Sequence, residues 1–308
     1  MNNKLAIVIP YYKLTYLEET LISLKNQTDQ RFNLYIGDDC SPENPSELIE
    51  KYSDIIKIYK RFDTNIGGMY LTKQWERCID NLVEDEEWIM LLCDDDLLDV
   101  NIVEEFYNLI SNRPSLNENV IKYATRIVNE DGSKILSENI NNNLENSIHY
   151  LVKKILNQKR STLSEHVFKN EVYKIKKFKE FELAFGSDDV AWVDFTSGGN
   201  FYCINNAFVN YRKSILSISN NQDNKIKKIK KRKMNGIIDS YTYILKKYSR
   251  NIDMYQRLVI SKKIYHYNRA LNSKKYQNQL RFIVFLSRII GMKETLKIIM
   301  NNKFYYEK

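Results

Sequence analysis

The chain has no uncharged apolar run of the roughly 18 residues that a membrane-spanning helix needs. Before Pro10 it offers only one strand's length of apolar residues where a secretion signal would carry a longer core. The expectation is a protein that folds in the cytoplasm. Cysteine is sparse: Cys40, Cys78, Cys93 and Cys203 are scattered without a C-x-x-C pair, which argues against a zinc site or a disulfide framework and for reduced, mostly packed thiols. No G-x-G-x-x-G loop follows the first apolar strand, where Pro10-Tyr11-Tyr12-Lys13 stands instead, and no Walker loop occurs, so a dinucleotide-binding or P-loop reading has little support. Glycine and proline, 9 and 4 in all, nearly vanish after Asn224, where the pattern turns helical.

What is present is enough, at 308 residues and 43% apolar, for one substantial core and a second, smaller unit. The net charge of +8 hides an asymmetry: residues 225–308 hold 22 Lys and Arg against 4 Asp and Glu, whereas residues 1–224 hold 25 against 35. An acidic body joined to a basic tail suggests a tail that faces something anionic, membrane lipid or nucleic acid. The change in composition puts a boundary near residues 220–224, separating a domain at 1–223 from an extension at 224–308.

Over the first hundred residues, strands alternate with helical periodicity. Residues 5–9 read as a strand, and Thr15 with Glu18 forms a capping-box pattern ahead of a helix that sets Leu17, Leu21 and Leu24 on one face. Residues 32–36 make a second strand closed by Gly37-Asp38-Asp39, followed by a helix at 46–52, a strand at 55–59, a helix at 69–83 and a strand at 88–92. Single helices between strands imply right-handed crossovers and an α/β fold, a Rossmann-like, mostly parallel sheet flanked by helices, with ligands beyond the carboxyl ends of the strands. Pro10-Tyr11-Tyr12, Asp38-Asp39 and Asp94-Asp95-Asp96 all fall at that edge. Three acids directly after an apolar strand are costly without a cation, and crowded hard oxygen ligands favour Mg²⁺ or Mn²⁺, which share their coordination with substrate phosphates. Farther along come a strand at 120–128 turned by Asp131-Gly132, an Asn-rich surface loop at 139–146, and a helix to about residue 156. A helix then opens at Ser187-Asp188-Asp189, and a strand pair at 201–204 and 208–211 follows.

Pro10-Tyr11-Tyr12, Gln27-Thr28, Asp38-Asp39-Cys40-Ser41, Asn65-Ile66-Gly67-Gly68, Asp94-Asp95-Asp96 and Ser187-Asp188-Asp189, in this order, resemble glycosyltransferase family 2, an inverting family with the GT-A fold, over about residues 4–217. The resemblance implies a nucleotide-sugar half at about 1–99 and an acceptor half at about 100–223. It implies that Tyr12 stacks on the base with Pro10 and the Tyr11 backbone beside it, and that Asp39 accepts a uracil imide proton. Asn65, Gly67 and Gly68 would lie along the sugar nucleotide, while Asp38 is the structural partner. Asp95 would be the main metal ligand, with Asp96 and Asp94 close by, Asp94 taking over part of a ribose contact. Cys93 departs from the pattern, for an acid usually stands there. Asp189 matches the general base that takes the acceptor hydroxyl's proton, with Asp188 positioning it, and Trp192 and His166 would face the acceptor. Arg212 is a candidate for the diphosphate, and Ser214 replaces a histidine that many relatives carry.

The tail offers seven basic residues within 225–233 and an amphipathic stretch at 281–300 with Phe282, Phe285, Ile289, Leu296 and Ile299 apolar. At about 1 kcal/mol per basic residue near anionic lipid, such a surface suits a peripheral enzyme on the inner face of the cytoplasmic membrane. No nucleic-acid-binding motif is present, and self-association is left open. The reading is therefore a metal-dependent inverting transferase using Mn²⁺ or Mg²⁺ and a nucleotide sugar, UDP-linked, to glycosylate a glycan or lipid-linked glycan of a bacterial surface polysaccharide such as a capsule or lipopolysaccharide. Its rival is a non-catalytic nucleotide-sugar-binding or scaffold protein of the same fold, motivated by Cys93 and Ser214 and opposed by the presence of both Asp95 and Asp189.

Overall fold

Residues 5–11 are apolar with little interruption and form β1 (Leu5–Tyr11), buried along almost its whole length, as a strand must be when both faces of its sheet are covered. Next come α1 (Leu17–Lys25), β2 (Phe32–Asp38), α2 (Ser46–Lys51), β3 (Ile56–Arg61), α3 (Leu71–Leu82), β4 (Trp88–Leu91), β5 (Leu97–Leu98) and α4 (Ile102–Asn112). The chain continues through β6 (Val120–Val128), β7 (Ile135–Asn139), β8 (Leu144–Asn146), α5 (Ser147–Ile155), β9 (His166–Lys169), α6 (Asn170–Lys176), a 3-10 turn (Glu182–Ala184), α7 (Ser187–Phe195) and β10 (Asn200–Arg212). Four helices follow: α8 (Ile226–Lys247), α9 (Met254–Leu271), α10 (Tyr276–Ile290) and α11 (Met292–Met300). The structure, a computed structural model, describes residues 3–213, 226–271 and 276–300; Ser214 and Lys225 lie outside them.

The chain divides into two compact units, one of Met1–Glu145, Ser161–Glu180 and Asn200–Asn221, the other of Asn146–Arg160, Phe181–Gly199 and Gln222–Lys308. The second thus joins the basic tail to two earlier segments, including the one that carries Asp188 and Asp189.

In the first unit the strands run β3-β2-β1-β4-β9-β6-β10-β5, with β7 on β6 and β8 on β10. β3, β2, β1 and β4 are parallel, Tyr11 lying opposite Asp38 and Val8 opposite Leu91. β9 runs antiparallel between β4 and β6, and β10 runs parallel to β6. This is the helix-flanked α/β sheet expected. Leu5, Ile7 and Ile9 share a core with Leu17, Leu21 and Leu24 of α1 and with Ile102 and Phe106 of α4. On α3, Thr72, Trp75, Ile79 and Leu82 are buried at helical spacing. A Cβ on Gly37 would lie 2.3 Å from the Cys78 sulfur, so the glycine is what admits α3 against β2.

Three local expectations need correction. The Thr15–Glu18 capping box does not form: α1 starts after Tyr16 without a side-chain cap, and Glu18 accepts instead from Lys51 at 2.6 Å. The terminal strand pair is one strand, β10, whose register shifts between Ile204 and Phe208. Asn205 and Asn206, which lie between the two expected strands, anchor that irregularity to Asn141 and Asn101. The Asn-rich stretch is not all loop, since it holds β8, and Asn146 caps α5 by accepting from the Ile148 and His149 amides.

In the second unit, α5, α7, α8 and α9 bury Ile148, Leu151, Val190, Val193, Tyr241, Leu245, Tyr248, Ile260 and Ile264 together. Leu286, Ile290, Ile298 and Tyr265 form a further cluster, and α10 gives way to α11 at Gly291, whose φ is +82°.

Candidate active site

In the first unit, the carboxyl edge of the parallel strands is tied by its own acids. The Asp39 amide donates to the Tyr11 carbonyl at 3.1 Å, and the Ser41 hydroxyl donates to the Tyr12 carbonyl at 2.7 Å. Asp94 Oδ2 accepts from the Tyr12 and Lys13 amides at 2.9 and 2.8 Å, joining the end of β4 to the turn after β1. Burial pushes the Asp94 carboxyl up to about 6 even though these amides favour its charge.

Asp38 is occupied structurally, accepting from the Ser41 amide, the Tyr59 hydroxyl and Arg61. Asp39 is buried and organises the loop after β3: Oδ1 takes the Ile66 amide at 2.9 Å and Arg77 at 2.5 Å, and Oδ2 takes the Gly67 amide at 2.8 Å. A Cβ on Gly67 would stand 2.5 Å from Asp39 Oδ2, which is why a glycine follows Ile66. The Gly68 amide donates to the Asn65 side chain at 3.2 Å. A carboxylate has about four lone-pair directions, so Asp39, with three in use, keeps one. Tyr12 is 41% exposed, which leaves its ring available for stacking.

The acid cluster follows the end of β4 at this edge. Asp96 is buried; its Oδ2 accepts from the Ser164 hydroxyl at 2.6 Å, and the same hydroxyl accepts from the Cys93 amide at 3.1 Å. Burial, with the negative charge of Asp95 next, pushes the Asp96 carboxyl up to about 8. Burial also raises Asp95, against the pull of Lys13 and Arg212. One carboxylate oxygen each of Asp95 and Asp96 and the Cys93 sulfur lie within 4.8 Å of one another. Acids forced toward protonation by burial, and in Asp96 also by the charge of its neighbour, are relieved by a cation, so these donors fit a divalent ion, two as hard oxygen ligands and one as a soft sulfur.

Arg212, the candidate for the diphosphate, is fully buried. It donates to the Asp95 carbonyl at 3.1 Å, to the Glu130 carbonyl and to the Glu19 carboxylate, and lies over the Tyr16 ring. His166 is also buried, edge-on to Phe201 with ring centroids 6.3 Å apart. Next to it, Glu165 forms a fully buried ion pair with Lys122 at 2.8 Å. Burial opposes the Glu165 charge, but the Lys122 ammonium, with His166 and Thr162, outweighs it and holds the carboxyl well below its usual range.

In the second unit, Gly186, in the left-handed region at φ +85°, precedes α7 and brings Asp188 and Asp189 into its first turn. Asp189 is buried; Lys154 donates to Oδ1 at 2.6 Å and the Tyr241 hydroxyl to Oδ2 at 3.3 Å. Asp188 lies 3.7 Å from the same ammonium. Trp192 is buried against Phe195. At the far end of α7, Asp194 accepts from Tyr248, Tyr243 and Lys247 at 2.6, 2.8 and 2.9 Å.

Arg77, Ser164, Lys154 and Tyr241 were not singled out from the sequence. Only Tyr241 had a signal, the spacing it shares with Leu245 and Tyr248 on one helical face. Of the apolar tail residues, Phe282, Phe285, Ile289 and Ile299 pack inward. Exposed apolar residues among the described tail residues include Met254, Tyr255, Leu280, Val284, Met292, Leu296 and Met300. Among the described residues, no helix is long and apolar enough to cross a membrane.

Residues 6–117, which span nearly all of β1 to α4 and carry Tyr12, Asp39, Gly67 and the acid cluster, match the model of Glycosyl transferase family 2. No curated protein sequence matches the chain. Among solved structures the chain is similar to Staphylococcus aureus TarS 1-349 in complex with UDP-GlcNAc, at 13% identity and a TM-score of 0.57, covering 98% of this chain and 93% of that one. A second S. aureus TarS structure is similar at 12% identity and a TM-score of 0.64, covering 97% of this chain and 54% of that one. The mannosyltransferase PcManGT from Pyrobaculum calidifontis, in complex with GDP-Man and Mn²⁺, is similar at 9% identity and a TM-score of 0.55, covering 100% of this chain and 89% of that one. At such identities the likeness is one of fold, and the fold is the GT-A-like one that the motifs imply.

Proposed function

On the match of residues 6–117 to the model of Glycosyl transferase family 2, we propose that the chain is an inverting, divalent-metal-dependent glycosyltransferase. It moves a hexosyl or N-acetylhexosaminyl group from a nucleotide sugar, UDP-linked, to a hydroxyl of a glycan or lipid-linked glycan in bacterial surface-polysaccharide synthesis. The observation that carries this reading is the acid cluster after β4, hydrogen-bonded through Asp94 to the turn that presents Tyr12. The nucleotide sugars named with the similar structures, UDP-GlcNAc for TarS and GDP-Man with Mn²⁺ for PcManGT, support the substrate class and the ion.

Tyr12 stacks on the base, a contact that gives affinity without direction, and the remaining lone pair of Asp39 accepts a base N–H, which gives selectivity. Gly67 and Gly68, lacking side chains, let the donor approach the loop closely. Asp95 and Asp96 hold the ion, which when bound neutralises charge on the departing diphosphate. Arg212 supports Asp95 from behind through its carbonyl. Asp189 takes the proton of the attacking hydroxyl, with Lys154 and Tyr241 fixing its orientation and Asp188 beside it. Lys230 and Lys231 are exposed on α8 while Arg232 pairs with Glu182, and the exposed basic residues serve contact with an anionic membrane that carries the acceptor.

The test is release of nucleoside diphosphate from a panel of nucleotide sugars with and without metal. Turnover of one UDP-sugar that ceases in EDTA is expected, and full activity in excess EDTA would overturn the metal role. The rival binding-protein reading predicts donor affinity with no turnover for any sugar or acceptor.

A further inference from the structure

We propose that Cys93 is a third protein ligand of the ion, beside Asp95 and Asp96, giving a mixed sulfur–carboxylate site that holds a thiophilic divalent ion such as Zn²⁺ or Co²⁺ more tightly than Mg²⁺. The proposal rests on the reading of Asp95 and Asp96 as metal ligands. Where the family resemblance leads one to expect an acid, this chain places a thiol, and it points the sulfur into the cluster: Sγ and one oxygen each of Asp95 and Asp96 lie within 4.8 Å of one another. Ligand atoms at about 2.0–2.3 Å from one ion stand at most about 4.6 Å apart, so closure needs only small side-chain rotations.

The framework is built to hold that geometry. The Ser164 hydroxyl accepts from the Cys93 amide and donates to Asp96 Oδ2, fixing the backbone of one donor against the carboxylate of another. Among the described residues no other group of three Asp, Glu, His or Cys side chains comes together in this way. Mg²⁺ takes oxygen ligands and leaves the thiol aside, whereas Zn²⁺ and Co²⁺ gain a sulfur bond, the thiol proton passing to solvent as that bond forms.

Co²⁺ alone is the probe, added to the full chain. Bound to sulfur it gives an intense near-ultraviolet charge-transfer absorption that oxygen ligands do not produce. The band is expected in the wild type at one ion per chain and absent in Cys93→Ser, with Co²⁺ and Zn²⁺ affinity down roughly 10–100-fold and Mn²⁺ affinity little changed. Cys40→Ser is expected to keep the band. A band that persists in Cys93→Ser, or Co²⁺ binding without a band in the wild type, overturns the proposal while leaving the Asp95–Asp96 reading intact. Failure to bind Mn²⁺ as well as Co²⁺ overturns both. Should Cys93→Ser not fold, the ¹¹³Cd resonance of the Cd²⁺-loaded wild type decides: a strongly downfield shift supports a sulfur ligand, and a shift in the oxygen-only range refutes it.

Discussion

Lys122 and Glu165 meet at 2.8 Å with neither side chain accessible to solvent, one residue from the serine that orients Asp96. Replacing Lys122 with Met keeps the length and apolar stem but leaves Glu165 as a buried, uncompensated charge. Breaking such a pair from one side costs about 3–5 kcal/mol. Glu165 keeps the Thr162 amide at 2.6 Å and the Thr162 hydroxyl, which places the expected loss at the lower end, about 3 kcal/mol. With an m-value of about 2–3 kcal/mol/M in urea, the unfolding transition of the first unit should fall by ~1–1.5 M. Adding Glu165→Leu should recover much of the loss, because a buried ion pair exchanged for apolar groups is often close to neutral.

The pH dependence gives an independent reading. In the wild type the Glu165 carboxyl is held well below its usual range, so its contribution is complete above the ordinary carboxylate pKa of about 4.3 and is lost as pH falls toward the folded-state value. In Lys122→Met, burial without the ammonium raises the same carboxyl, which protonates and relieves the buried charge. The stability gap between the two proteins should therefore be widest near neutrality and shrink in acid. An unshifted urea midpoint, or a gap that widens as pH falls, would refute the reasoning.

Asp95→Ala should lower turnover by roughly 10²–10³, the scale for removing a preorganised charge-stabilising group, with EDTA on the wild type giving a similar loss; an active variant would remove the ion from Asp95. Asp189→Asn should cut transfer by about 10²–10⁴ while calorimetry finds donor affinity unchanged, and a larger effect from Asp188→Asn would exchange the two roles. Because Asp96 is pushed up to about 8 without an ion, Mn²⁺ must displace its proton, so affinity should rise from pH 6 to pH 8, and buffers of different ionisation enthalpy should reveal the proton released; pH-independent affinity would contradict this. Neutralising Lys227, Lys228, Lys230 and Lys231 together should abolish salt-sensitive sedimentation with acidic vesicles, and undiminished binding would assign these lysines to another role.

The strands from β1 to β4 and their flanking helices were legible because their signals are local: unbroken apolar runs for covered strands, and one apolar stripe for each helix. The glycine at 67 and the acids at 94–96 were legible for a related reason, since close backbone approach and crowded charge each restrict residue type at the position itself. Partners across the fold leave no such trace. Arg77 reaches Asp39 over 38 residues, and Lys154 reaches Asp189 over 35. Each is a surface-type residue on a helix, and only tertiary packing tells it apart from its neighbours. β10 was misread because Asn205-Asn206 carries the polarity of a turn while serving an irregularity within one strand.

The basic tail was the least legible segment, because its charge is conspicuous and its tyrosines are not. Tyr241 donates to the candidate base, and Tyr243, Lys247 and Tyr248 all donate to Asp194 at the other end of the same helix. α8 therefore grips α7 at both ends, and Gly186 is needed because a Cβ there would lie 2.2 Å from the Ser240 hydroxyl. A chain cut near Asn224 would leave the buried Asp194 without these three donors, at a cost of about 1–3 kcal/mol for each lost bond to a charged group, and would free Asp189 on one side. Loss of activity on truncation would then report on the footing of α7 and say nothing of membranes. That is why surface lysines, and not the helices themselves, are the place to test what the tail's charge does.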